Sequence, residues 1–318
     1  MNNEQRKIGV LVMSYGTPES LDQIEAYYTH IRHGRPPTEE QLSDLKARYE
    51  AIVGGFFPLR RNTDKQVEAL QETLNRDYPD VRYVCYQGLK HAQPFIEDGV
   101  EQMVKDGIRE AVGVVLAPHF STMSVGTYTK RAQEAADKLG LSIRFVLQYH
   151  LHPKLLQALS ERVSAQLDAF VKDGVAKNDV RVIFSAHSLP EKIVEIGDPY
   201  PQQLLETARA VAERTGVTNW QFAWQSAGQT AMPWLGPDIQ DVLRAIHQEE
   251  GVRYVLICPI GFVSDHLEVL YDIDIECKSL AKELGMRLER TESLNTDPLY
   301  METLSDVVHR KAQELGRE

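Results

Sequence analysis

The chain has 318 residues, 46 acidic against 35 basic, a net charge of −11, and 42% hydrophobic and 25% charged residues. This length favours two domains and a large core, and the composition excludes disordered, collagenous and disulfide-stapled classes. An acidic balance repels phosphate backbones, which argues against nucleic acid as a partner.

Cys85, Cys258 and Cys277 are the three cysteines. They form no C-x-x-C pair and fit a reducing compartment, offering neither a zinc ribbon nor a four-cysteine iron–sulfur site. No secretory pattern precedes Ile8–Met13, and no apolar run reaches the roughly 18 residues of a spanning helix. A cytoplasmic location without a transmembrane segment is expected.

In chain order, β-branched runs predict strands at Ile8–Met13, Val81–Tyr86, Ala111–Ala117, Ser142–Leu147, Val180–Phe184, Trp220–Trp224, Val252–Cys258 and Met286–Glu289. Stretches of helical period separate them, the signature of βαβ units and parallel sheets. Thr38 with Gln41, and Thr63 with Gln66, have the spacing of capping boxes, so helices are expected to start there. A near-repeat sets Tyr15-Gly-Thr-Pro18 against His187-Ser-Leu-Pro190, Tyr86-Gln87 with Pro94 against Trp224-Gln225 with Pro233, and Ala117-Pro118 against Cys258-Pro259. The first half carries an insert between Pro18 and Tyr86.

These patterns predict an α/β protein of two Rossmann-like lobes, with parallel sheets, flanking helices and a cleft between them. The expected N-terminal lobe covers 1–150, with a lid insert at about 20–62. The C-terminal lobe covers 151–318, with the C-terminal helix free to pack back on the first lobe. Ligands of such sheets bind at the carboxyl ends of the strands. There is no G-x-G-x-x-G, G-x-x-x-x-G-K-[ST], G-x-S-x-G or H-E-x-x-H, so dinucleotide, NTP, hydrolase and zincin chemistry lose their usual support.

His187 follows a predicted strand and precedes Pro190, on a strand-to-helix turn. Its side chain titrates near neutrality and can accept a proton or hold a metal, although a lone histidine is as readily structural. Glu268, Asp272 and Glu276 recur every four residues and so line one face of a helix, where like charges cost a few tenths of a kcal/mol per pair. Leu267, Val269, Leu270, Ile273 and Ile275 interleave with them. A helix apolar on its other sides buries this row, and buried carboxylates need cations or protons; a solvated acidic face is the alternative. Nitrogen and oxygen donors without thiolate suit a divalent transition metal held briefly. The insert supplies Tyr27, Tyr28, Arg32, Arg48 and Tyr49, and Tyr128 follows later. Guanidinium forks and aromatic rings fit an aromatic, carboxylated ligand, although each residue alone also reads as surface or core.

Tyr15-Gly-Thr-Pro, Leu116-Ala-Pro-His-Phe-Ser-Thr, Ser185-Ala-His-Ser-Leu-Pro, Trp224-Gln-Ser-x-Gly, Pro233-Trp-Leu-Gly-Pro-Asp and Gly261-Phe-Val-x-Asp-His-Leu-Glu-Val-Leu-Tyr-Asp together resemble the ferrochelatases. Tyr27-Tyr28-Thr-His-Ile-Arg32 and the lack of a C-terminal extension resemble the Gram-positive coproporphyrin III ferrochelatases. The resemblance implies a lyase-class metal chelatase and a monomer, inserting Fe²⁺ as substrate into coproporphyrin III to form Fe-coproporphyrin in haem biosynthesis. It implies His187 as metal ligand and proton acceptor, Glu268 as its carboxylate partner and Tyr15 on the opposite face of the macrocycle. It further implies Arg32, Arg48, Tyr49 and Tyr128 as porphyrin contacts and an outer divalent-metal site at Asp272 and Glu276.

One segment departs from the family. Gly54-Gly55-Phe56-Phe57-Pro58-Leu59 carries Phe57 where the family has a propionate-contacting serine. No tightly bound cofactor and no iron–sulfur cluster are expected. Protoporphyrin IX as substrate, cobalt as metal, and a non-catalytic tetrapyrrole or metal carrier are the alternatives. The iron donor and the next haem-pathway enzyme that would accept the product stay open.

Overall fold

The computed structural model describes residues 5–53, 57–228 and 230–316. Backbone contacts divide the chain into two units, Met1–Tyr149 with Asn295–Glu318, and His150–Leu294. The C-terminal segment therefore belongs to the first unit.

The first unit is built on β1 (Arg6–Ser14), α1 (Ile24–Ile31), α2 (Glu39–Val53), α3 (Pro58–Asp77), β2 (Val81–Leu89), α4 (Ile96–Lys105), β3 (Glu110–Val115), α5 (Val125–Leu139) and β4 (Ser142–Val146). Its four strands are parallel in the order β2-β1-β3-β4, with Leu11 opposite both Tyr86 and Gly113. Ile8 and Val10–Met13 of β1 are buried, as expected of a central parallel strand covered on both faces. Leu11, Met13, Ile96, Val100, Met103, Val125 and Ala132 form part of the core between sheet and helices.

The insert folds as α1, α2 and the start of α3. At α2 the predicted capping box is present: the Gln41 amide donates to the Thr38 hydroxyl over 3.2 Å, and the Thr38 amide donates to the Gln41 side chain over 3.1 Å. The helix start predicted at Thr63 is corrected. Pro58 begins α3, where its fixed φ and missing N–H suit the first turn, and the Thr63 hydroxyl bonds the Leu59 carbonyl inside the helix instead.

The second unit comprises α6 (Pro153–Lys172), β5 (Val180–His187), α7 (Lys192–Glu195), α8 (Tyr200–Thr215), β6 (Trp220–Gln225), α9 (Ile239–Glu250), β7 (Tyr254–Cys258), α10 (Leu267–Leu270), a π-helical segment at Asp272–Cys277, α11 (Lys278–Glu283) and β8 (Arg287–Arg290). The sheet is again parallel, in the order β6-β5-β7-β8. Each strand thus takes the place of its counterpart in the first unit. Finally, α12 (Pro298–Ala312) returns to the first unit and packs on α3.

The repeat is real as topology, but its register differs from the sequence match. The Leu89 amide donates to the Pro94 carbonyl, and the Trp224 amide donates to the Pro237 carbonyl. Leu89 bridges Phe95 as Trp224 bridges Asp238, at the N-caps of α4 and α9. Leu89 and Pro94 therefore correspond to Trp224 and Pro237, in place of Tyr86 with Trp224 and Pro94 with Pro233. Backbone pairing, rather than the shared aromatic-Gln dipeptide, sets the equivalence.

Candidate functional site

In the second unit, His187 ends β5 and Glu268 lies on α10, just beyond the loop that follows β7. That loop passes close to β5 because Gly261 has no side chain. A Cβ there would stand 2.4 Å from the Ala186 Cβ and 2.9 Å from its Cα. The Nδ1–H of His187 donates to the Ser188 carbonyl, which leaves Nε2 facing Glu268 Oε1 at 3.5 Å. The Tyr200 hydroxyl donates to the His187 carbonyl over 3.2 Å.

Glu268 is held from several directions. Its other carboxylate oxygen is 3.4 Å from Nε2 of His266, whose Nδ1 is 2.9 Å from the Ser264 carbonyl. The buried Gln225 side chain donates to the Glu268 carbonyl over 3.0 Å and accepts from the Ser185 hydroxyl over 2.9 Å. Burial disfavours charge on both members of the pair, but their mutual attraction outweighs it. The Glu268 carboxylate raises the His187 imidazolium to about 9. His187 and His266 in turn hold the Glu268 carboxyl well below its ordinary range. At neutral pH this is an imidazolium–carboxylate pair with both side chains about one third exposed, at 33% and 35%.

The carboxylate row continues along a helix that is not α-helical throughout. Within the π-helical segment the Glu276 amide reaches the Tyr271 carbonyl, an i→i+5 bond of 3.0 Å. A four-residue step overshoots an α-turn and falls short of the wider π-turn, so the two steps offset. Glu268, Asp272 and Glu276 consequently run nearly parallel to the axis. The Ser226 hydroxyl donates to Asp272 and the Gln240 side-chain Nε2 donates to Glu276 over 3.2 Å. Ser226 has φ 59, a left-handed backbone uncommon for serine. Val269, Ile273 and Cys277 pack into the core, while the carboxylates stay half-buried. Among the described residues, no three His, Cys, Asp or Glu side chains converge as a ready-made metal cage.

The remaining expected residues lie in the first unit. Tyr15, at the end of β1, is 41% exposed, and its ring centroid is 4.6 Å from that of His91. Arg32 caps α1 and lies over the Tyr28 ring at 5.7 Å. Arg48 on α2 pairs with Asp44 at 3.0 Å. Tyr49 is buried, bonded to the Thr17 hydroxyl at 3.0 Å. Phe57 is also buried, its ring 4.6 Å from that of Tyr49, while Gly54–Phe56 lie outside the described residues. Tyr128 on α5 is buried beneath the Lys90 ammonium, 5.2 Å from its ring. Lys90, His91, His30, His33, Met123 and Arg131 help line an open cavity of about 1480 Å³ in this unit.

The sequence profile of the family described as Ferrochelatase matches residues 7–312. The chain belongs to the ferrochelatase family. It is 51% identical over 315 residues to the coproporphyrin III ferrochelatase of Geobacillus thermodenitrificans, covering 99% of each chain. Against the protein of the same name from Halalkalibacterium halodurans it is 51% identical, covering 98% of this chain and 99% of the other. Among solved structures, the sirohydrochlorin chelatase SirB from Bacillus subtilis subspecies spizizenii superposes with a TM-score of 0.60 at 12% identity, covering 98% and 97% of the two chains. CbiX superposes with a TM-score of 0.53 at 11% identity, covering 96% and 99%. These two likenesses concern the fold.

Within this ferrochelatase-family chain, the structure brings His187, Glu268, Asp272 and Glu276 onto one unit and adds His266, Ser226, Gln225 and Gln240. His266 sits two residues before Glu268, so the Asp-His-Leu-Glu run was its available signal. Gln225 and Ser226 stand in the Trp224-Gln-Ser-x-Gly motif, which did not announce what they bond, and Gln240 carried no signal. Chemically, an imidazole–carboxylate pair about one third exposed can release and take up a proton. The same nitrogen and oxygen atoms can bind a divalent cation once that proton has left.

Proposed function

We propose that the chain inserts Fe²⁺ into coproporphyrin III to form Fe-coproporphyrin for haem synthesis, with His187 and Glu268 as the reacting pair. The near full-length identity to coproporphyrin III ferrochelatases supports the reaction. The 3.5 Å approach of His187 Nε2 to Glu268, backed by His266, carries the assignment of roles. Metallation removes two protons from the inner pyrrole nitrogens as Fe²⁺ sheds water. A cation arriving at Glu268 cancels the field that keeps His187 protonated. The resident proton then passes to solvent and leaves Nε2 free. Neutral His187 can ligate the ion or accept a pyrrole proton, with Glu268 assisting removal of the other.

Asp272 and Glu276 extend the acceptor row outward and serve the metal. Tyr15, Arg32, Arg48, Tyr49 and Tyr128 serve the porphyrin and its carboxylates. Phe57, buried against Tyr49, replaces one hydrogen-bonding contact with an apolar one.

Anaerobic Fe²⁺ insertion followed by porphyrin absorbance tests the reading, with coproporphyrin III and protoporphyrin IX supplied separately. His187→Ala is expected to abolish insertion while porphyrin binding persists. Equal loss of both would make His187 structural, and faster turnover of protoporphyrin IX would overturn the substrate assignment.

A further inference from the structure

At the end of β8, the Arg290 side chain is 12% exposed and holds three backbone segments at once. Its Nε and Nη2 grip both carboxylate oxygens of Asp274 at 3.1 and 2.7 Å. Nη1 donates to the Thr291 carbonyl over 2.9 Å and approaches Asp265 at 3.6 Å. Asp265 in turn accepts from the Ser293 hydroxyl over 2.8 Å. Asp274 lies in the π-helical segment, two residues and about half a turn from both Asp272 and Glu276. Asp265 lies in the loop leading to His266 and Glu268. A planar guanidinium fork of this kind fixes orientation as well as charge, and π-turns are rare single-turn bulges within α-helices.

We propose that Arg290 is a positioning residue for the metal-handling face. By pinning Asp274 behind the π-turn and Asp265 before α10, it keeps Asp272 and Glu276 in line with Glu268. Without the fork, Asp274 retains Lys278 at 3.1 Å on its own helix, which does not tie the turn to the sheet. Relaxation of the π-turn to α-helical winding then rotates Glu276 out of line with Glu268 and Asp272. The proposal rests on the reading that this row handles the metal.

The test is steady-state insertion with separate titrations of Fe²⁺ and coproporphyrin III. Arg290→Gln is expected to raise the Fe²⁺ KM by about tenfold, the scale of lost outer supports in metal sites, with kcat and the porphyrin KM unchanged. Asp274→Asn, which removes the same ion pair at constant shape, should do likewise and serves where Arg290→Gln does not fold. The double variant should be no worse than either single variant, and Arg290→Lys should recover part of the loss. An unchanged Fe²⁺ KM, an equal fall in kcat, or additive effects would overturn the proposal. Asp272→Ala separates the two levels. If it too leaves the Fe²⁺ KM unchanged, the metal-handling reading itself fails; if it raises that KM while Arg290→Gln does not, the role of Arg290 alone is refuted.

Discussion

Replacing Glu268 by Gln removes the charge facing His187 and keeps the shape. At the observed 3.5 Å separation, Coulomb attraction amounts to about 1 kcal/mol in water and about 5 kcal/mol at an effective dielectric near 20. With each side chain about one third exposed, screening holds the true value below the upper figure. At about 1.4 kcal/mol per tenfold change in proton affinity, the carboxylate raises the His187 midpoint by about one to three pH units. Burial acts in the opposite direction and survives the substitution, as does the smaller influence of Asp272. The His187 midpoint is therefore expected to fall from about 9 to near or below its ordinary 6.5.

The assay is ¹⁵N NMR titration of imidazole-labelled protein, with the His187 resonance assigned by its loss in His187→Gln. A midpoint in Glu268→Gln that stays near 9 would refute the pairing. The stability consequence has a definite sign. A raised histidine midpoint adds stability in full below pH 6.5 and loses it as the pH rises through about 9. Any thermal advantage of the wild type over Glu268→Gln should therefore shrink across that window.

Asp272→Ala is expected to raise the Fe²⁺ concentration needed for half-maximal insertion while turnover persists; an unchanged metal titration would return the row to a solvated face. Gly261→Ala places a methyl against the Ala186 backbone and should destabilise by about 1–3 kcal/mol, a difference that urea unfolding would fail to show if the loop simply shifts. His91 is pushed down to about 3 by burial and by the cationic surroundings of Lys90, His30, Arg131 and His33. Because the unfolded chain takes up that proton near pH 6.5, acidification from 6.5 towards 3 should lower the thermal midpoint. His91→Gln should lessen that fall, and an identical acid profile would argue against the partly buried neutral ring.

The strands were legible because buried parallel strands concentrate β-branched residues, and all eight runs formed. His187 and Glu268 were legible as chemistry-bearing residues beside strand ends. Their 3.5 Å approach depends on β5 lying next to β7 and on Gly261, which no local pattern announces. The Thr63 cap failed because proline at the first helical position overrides a downstream capping signal. The register of the internal repeat failed because the similar dipeptides at Tyr86 and Trp224 occupy different places relative to the turn that closes each strand.

The acidic row shows why residue spacing alone left its meaning open. Three carboxylates at four-residue intervals should repel one another in an α-helix, a small cost that surfaces readily tolerate. Here each carboxylate instead has its own neighbour from outside the row: His187 and His266 for Glu268, Ser226 for Asp272, and Gln240 for Glu276. The intervening Asp274 is turned away to Arg290 and Lys278. Neutral hydroxyl and amide donors hold Asp272 and Glu276 in place without cancelling their charge, whereas Glu268 lies against two imidazoles. On the function proposed above, the row leads to a proton on His187 that an arriving cation would displace. A solvated acidic face would need neither the donors nor the π-turn that keeps the carboxylates aligned.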